Sequence, residues 1–142
     1  MSTLFTKIID GQIPGRFIWK DEHCVAFLTI GPITHGHTLV VPREELDKWT
    51  EAPAELMTHL VDVAGKIGRA QVRAFASERA GLMIAGFEVP HLHVHVWPTN
   101  SLADFDLARA DTNPDPARMD ANAAKLRAAL REDGHGDLVP EA

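Results

Sequence analysis

Residues His91, Leu92, His93, Val94, His95 and Val96 alternate between imidazole and aliphatic side chains without a break. A period of two belongs to a β-strand, whose successive side chains point to opposite faces, whereas a helix would scatter the same residues around its axis. The run therefore requires a sheet with one covered apolar face and a second face that carries three imidazoles. Same-face neighbours on a strand lie roughly 6.6 Å apart, close enough for one small anion or one metal ion to meet more than one ring. Neutral imidazole is a nucleophile toward phosphorus. Its ordinary pKa near 6.5 lets a neighbouring ring carry a proton at physiological pH. A histidine row can thus supply attacker and acid for displacement at phosphorus, and water can then hydrolyse the phosphorylated ring. A metal platform is the alternative use.

The remaining elements follow from punctuation and periodicity. Ser2 or Thr3 can cap a short helix running to about Asp10, ended by Gly11 and Pro14. Arg16 to Lys20 and Cys24 to Ile30 are rich in β-branched and aromatic residues and read as strands, joined by a turn at Asp21-Glu22. After the loop Gly31 to Gly36, a third strand runs from Thr38 to Val41 and stops at Pro42. Pro53 opens the longest helix, on which Leu56, Leu60, Val63, Ile67, Ala70 and Ala74 recur every three or four residues. Gly65 and Gly68 inside it each cost about 1 kcal/mol relative to alanine. They mark either a close approach of another element or simple tolerance. Two further strands are expected at Leu82 to Ala85 and Leu92 to Trp97, the second ended by Pro98. Asp115 and Pro116 then start a helix with the stripe Met119, Ala123, Leu126 and Leu130, and Gly134 to Ala142 is expected to fray. Hairpins with segregated helices predict an antiparallel α+β fold with five strands.

A length of 142 residues suits one domain. A net charge of −6 lacks the cationic footprint that binding to a nucleic acid polymer requires. Cys24 is the single cysteine, so no internal disulfide forms, and no apolar stretch reaches the ~18 residues of a membrane span. A cytoplasmic protein is the expectation.

The segment His91 to Trp97 resembles the histidine triad motif, His-φ-His-φ-His-φ-φ with φ apolar. Ala26-Phe27-Leu28-Thr29-Ile30-Gly31-Pro32 and Gly36-His37-Thr38-Leu39-Val40-Val41-Pro42 resemble the two blocks that precede it in that family. The likeness covers about residues 3–99, so 1–99 is expected to be the histidine triad domain, with 100–142 a helical extension of the same domain. The resemblance implies a nucleotide hydrolase or transferase that attacks the α-phosphorus of nucleoside phosphoramidates or related conjugates through a nucleotidyl-histidine intermediate. Carried over by position, His93 resembles the nucleophile, His95 the ring that contacts phosphate and assists proton transfer, His37 the fourth histidine, and His91 a supporting member. Ile13, Phe27 and Ile30 would line the base pocket, Thr29 stands where the family often has an acidic ribose ligand, and Trp97 either meets a base or packs beside the strand. The family is commonly a homodimer with a continuous ten-stranded sheet, and neither a cofactor nor a metal is expected. Some bacterial relatives hold zinc through an amino-terminal Cys-x-x-Cys, a histidine after the third strand and the first triad histidine. Here Thr3 and Thr6 replace the cysteines, and no histidine lies between Pro42 and Trp49. Thr29, Glu88 and the absence of asparagine from Gln71 to Pro90 leave open a nucleotide-binding module of low activity. Dinucleoside polyphosphate hydrolysis is a third option.

Overall fold

The computed structural model describes residues 2–142. Its helices are α1 (Leu4–Ile9), α2 (Ala54–Ala74) and α3 (Pro116–Glu132). Its strands are β1 (Phe17–Lys20), β2 (Cys24–Leu28), β3 (Thr38–Pro42), β4 (Arg79–Met83) and β5 (Val94–Thr99). All five strands pair antiparallel in the order β1-β2-β3-β5-β4. The expected α+β fold is the one observed.

The sheet separates two apolar layers. On one face Ile18, Ala26, Leu28, Val40, Val94 and Val96 pack against Leu60, Val63 and Ile67 of α2 and Met119, Leu126 and Leu130 of α3. Leu92 joins this layer, so the alternation in the histidine run points the way the sequence indicates. On the other face α1 contributes Phe5 and Ile8 to a smaller cluster with Phe17, Phe27, Leu39 and Val41. Thr3 caps α1, its hydroxyl accepting the Thr6 N–H at 3.1 Å, and so fixes the helix that forms one wall of the site.

Several boundaries differ from expectation. The last strand is Val94–Thr99, so His91, Leu92 and His93 lie before it and Pro98 lies inside it. The third strand's pairing ends at Thr38 opposite Val96. Beyond that point β5 has a ladder partner on one side only, where a residue without an N–H is tolerated. β4 begins at Arg79 and not Leu82 because it pairs with β5 as far as that strand's end, from Met83 opposite His95 to Arg79 opposite Thr99. β2 stops at Leu28, after which Thr29 N–H bonds the His37 carbonyl across the loop. Gly68 does admit a close neighbour: a Cβ there would lie 3.1 Å from the Ala80 Cβ. Gly65 does not, since only the Arg69 guanidinium comes within 4 Å. The carboxyl-terminal segment is ordered by burial. Val139 enters the α2–α3 layer and the His135 ring packs edge-on against Trp19 at 5.5 Å.

Candidate active site

His95 on β5, Leu39 on β3 and Phe27 on β2 are direct cross-strand partners and form one row on the α1 face. At the spacing of adjacent strands the row spans about 10 Å. A cavity of about 240 Å³ opens above it. His93 and His95 stand at one end, Phe27, Thr29, Ile30 and Ile13 at the other, and Leu4, Phe5 and Ile8 of α1 form the wall. The structure thus brings six of the nine expected residues to one cavity. His37 stands behind His95. His91 and Trp97 do not line the cavity.

The hydrogen bonds fix which ring nitrogen carries the hydrogen. The Ile33 N–H can only donate, so Nδ1 of His37 accepts it (3.0 Å) and the His37 hydrogen sits on Nε2. That N–H donates to Nδ1 of His95 at 2.9 Å, which leaves His95 with its own hydrogen on Nε2. The His91 carbonyl can only accept, so Nδ1 of His93 donates to it at 2.7 Å and Nε2 of His93 keeps a free lone pair. Two neutral rings of opposite polarity therefore stand side by side, with centroids 5.1 Å apart. One offers a lone pair and the other an N–H.

Burial enforces that neutrality. Desolvation, aided by the adjacent His95, lowers His37 to about 3. Desolvation and then His93 lower His95 to about 4. Desolvation is also the largest influence on His93, which lies below the usual histidine range although its bond to the His91 carbonyl works the other way. A protonated ring at neutral pH, expected from the unperturbed value, is not what this environment favours. A neutral N–H takes its place as donor.

The supporting residues explain the placement. His91 is fully buried, its Nε2 donating to the Pro42 carbonyl at 2.8 Å and its Nδ1 accepting the Thr3 hydroxyl at 2.7 Å. Trp97 stacks on His37 with centroids 5.3 Å apart and donates Nε1–H to the Asp104 carbonyl at 2.7 Å, so it supports a ring and does not meet a base. Gln71 of α2 donates to the carbonyls of Gly36 and Val96, both at 2.9 Å, and ties the His37 loop to the strand of His95. Phe5 meets His93 edge-on at 4.9 Å. Neither Gln71 nor Phe5 carries a motif, and only the apolar clustering of α1 hints at the second. His35, exposed and bonded to Asn122, stays outside the cavity. Glu88 is on its rim.

Residues 10–102 match the HIT domain, and the chain belongs to the HIT family of histidine triad proteins. An adenylylsulfatase of Arabidopsis thaliana is 27% identical over 143 residues, 97% of this chain and 71% of its own. An adenosine 5'-monophosphoramidase of Saccharomyces cerevisiae is 30% identical over 96 residues, 67% of this chain and 61% of its own. The crystal structure of a zinc-bound histidine triad family protein from Mycobacterium smegmatis superimposes with a TM-score of 0.79 at 30% identity, covering 96% of this chain and 98% of that one.

Zinc raises a question of fit. Thr3, Thr6 and His91, at positions where some family members hold the metal, meet Glu45 in a hydrogen-bonded cluster. Glu45 Oε1 accepts the Thr3 N–H at 2.9 Å and the Thr6 hydroxyl at 2.6 Å, and both nitrogens of His91 are engaged. Two hydroxyls, one carboxylate and one committed imidazole provide no thiolate and no free ring nitrogen. That donor set does not fit a structural zinc.

Proposed function

We propose that the chain hydrolyses or transfers the nucleotidyl group of nucleoside phosphoramidates or related conjugates through a nucleotidyl-His93 intermediate. The observation that carries this reading is the free Nε2 lone pair of His93, held toward the cavity by the 2.7 Å bond at Nδ1 and flanked by a ring that can only donate. The phosphoramidase and adenylylsulfatase activities of two relatives support the substrate class. In the forward step Nε2 of His93 bonds to the α-phosphorus while the bond to the leaving nitrogen breaks. That nitrogen leaves as the amine with a proton drawn from solvent, while the Nε2–H of His95 hydrogen-bonds a phosphoryl oxygen and stays on its ring. Water then attacks phosphorus, loses a proton to solvent and releases His93 as the neutral ring. His37 holds His95 in the donating tautomer, and the apolar floor of Phe27, Ile13 and Ile30 takes the base. Incubation with adenosine 5'-phosphoramidate tests the reading: His93→Ala should abolish turnover, and equal rates for parent and variant would refute it.

A second reading, a nucleotide-binding module of low activity, draws on the other end of the cavity. Thr29 offers only a hydroxyl, already accepting the Gly31 N–H at 3.2 Å, and Glu88 adds negative charge at the rim. Tight AMP binding without turnover would favour it.

A homodimer accompanies either reading. β4 is an edge strand, and an apolar groove beside it runs between Leu82, Val61, Ala64 and Gly68. A second copy pairing along β4 would cover both and give ten continuous strands. A monomer mass by light scattering at micromolar concentration would exclude this arrangement.

A further inference from the structure

The turn between β1 and β2 carries a group of side chains that the proposed reaction does not use. Oδ1 of Asp21 accepts the N–H groups of His23 and Cys24, both at 2.8 Å. Oδ2 accepts Nε1–H of Trp19 at 2.8 Å, Nε2–H of His59 from α2 at 2.7 Å and the Cys24 thiol at 3.5 Å. Three donors crowd one oxygen of a carboxylate that offers about four lone-pair sites in all. Two of those donors, the thiol and the imidazole, become ligands when their hydrogens are replaced by a cation.

The donor atoms of Asp21, Cys24 and His59 all lie within 4.8 Å of one another, the one such trio of metal-ligating types among the described residues. Tetrahedral zinc, with bonds of about 2.0–2.3 Å to oxygen, nitrogen and sulfur, sets ligand–ligand edges of about 3.3–3.7 Å. The observed Sγ to Oδ2 distance of 3.5 Å is already such an edge. The Nε2 to Oδ2 distance must open by about 0.6 Å to reach one. His59 can provide this, because its side chain is 33% exposed and faces solvent on one side. The carboxylate is held for the purpose by two backbone N–H groups and an indole, the outer-shell support that orients a metal ligand. Arg43 bonds the Asp21 main-chain carbonyl and not its carboxylate. Sulfur, imidazole and carboxylate together suit zinc, whereas magnesium and calcium take oxygen.

We propose that Asp21, Cys24 and His59 form a zinc site that fastens the β1–β2 turn to α2, with its fourth position on the partly exposed His59 side, toward His23, whose ring centroid lies 5.3 Å from that of His59. On binding, the thiol proton passes to solvent and the ring hydrogen of His59 moves to Nδ1, so that sulfur and Nε2 present lone pairs. The site shares no residue with the lining of the histidine cavity.

Cobalt(II) titration of the full chain, prepared without a polyhistidine tag, tests this directly because Cys24 is the single cysteine. The expected result is a thiolate-to-cobalt charge-transfer band that saturates at one equivalent and is displaced by zinc. Cys24→Ser should abolish the band. His59→Ala, at a half-exposed position, should weaken cobalt affinity at least tenfold while the protein stays folded. Zinc should raise the melting temperature of the parent and not of His59→Ala. Absence of the band, binding unaffected by His59→Ala, or binding lost in His93→Ala would each overturn the proposal. None of these readouts depends on hydrolysis, so the assignment of the cavity stands or falls separately.

Discussion

Replacing Gln71 by leucine probes whether α2 sets the geometry of the histidines. Gln71 is fully buried, and its amide reaches the carbonyl preceding His37 and the carbonyl following His95. Both oxygens keep a second donor: Gly36 O accepts the Thr38 hydroxyl at 2.8 Å, and Val96 lies opposite Thr38 at a hydrogen-bonded position of the β3–β5 ladder. Two lost hydrogen bonds, at about 0.5–1.5 kcal/mol each, cost about 1–3 kcal/mol. Part of this is recovered, because Oε1 of Gln71 is buried without a partner and leucine removes it. A net loss of about 1–2 kcal/mol follows, which for a chain of this size lowers the melting temperature by about 3–8 °C. Urea denaturation should show a lower midpoint at unchanged slope. Turnover should fall through kcat with little change in KM, since the cavity walls that take the base do not involve Gln71. A Gln71→Leu protein with the parent's midpoint and kcat would show that Gln71 does not hold the histidines in place.

Four further outcomes follow from the same structure. Because burial holds His93 below the usual histidine range, the acid limb of kcat/KM should lie below pH 6.5, and a midpoint at or above 6.5 would contradict the burial argument. The unfolded chain takes up protons near pH 6.5, whereas folded His95 and His37 do so only near about 4 and about 3. Stability present above pH 6.5 should therefore decline as pH falls toward those values, seen as a urea midpoint lower at pH 5 than at pH 7.5. Gly68→Leu should overpack the contact between α2 and β4, where a Cβ already approaches Ala80 to 3.1 Å, and destabilise by about 1–3 kcal/mol in the same denaturation assay. Thr3→Val removes the cap of α1 and the hydroxyl on His91. It should cost about 1 kcal/mol and raise KM for the nucleotide as the α1 wall loosens, measurable in steady-state kinetics.

The fold was legible where pattern and period coincide. The alternation from His91 to Val96 and the stripe on α2 put the right side chains on the right faces, because burial of Leu92, Val94 and Val96 on one side holds the period even at His91 to His93, before the ladder begins. What escaped were features set by contacts distant in sequence. Pro98 reads as a stop signal, yet β5 runs through it since β3 has already ended alongside. The last nine residues read as polar and frayed, yet Val139 finds a place in the core. In the site, His37, His93 and His95 were recognisable from their motif. The roles of Trp97 and His91 as supports depend on bonds to Asp104, Thr3 and Pro42 that no local pattern announces. Unperturbed histidine chemistry also anticipated a charged ring, whereas the packing around His37 and His95 makes neutrality the cheaper state.

Rapid-quench mixing with adenosine 5'-phosphoramidate, followed by intact-protein mass spectrometry and peptide mapping, decides whether the free nitrogen of His93 bonds to phosphorus. The expected result is a transient mass increase of one adenylyl group located on His93 and absent from His93→Ala. Turnover with no adduct on the parent, or an adduct carried by His95 or His37, would contradict it.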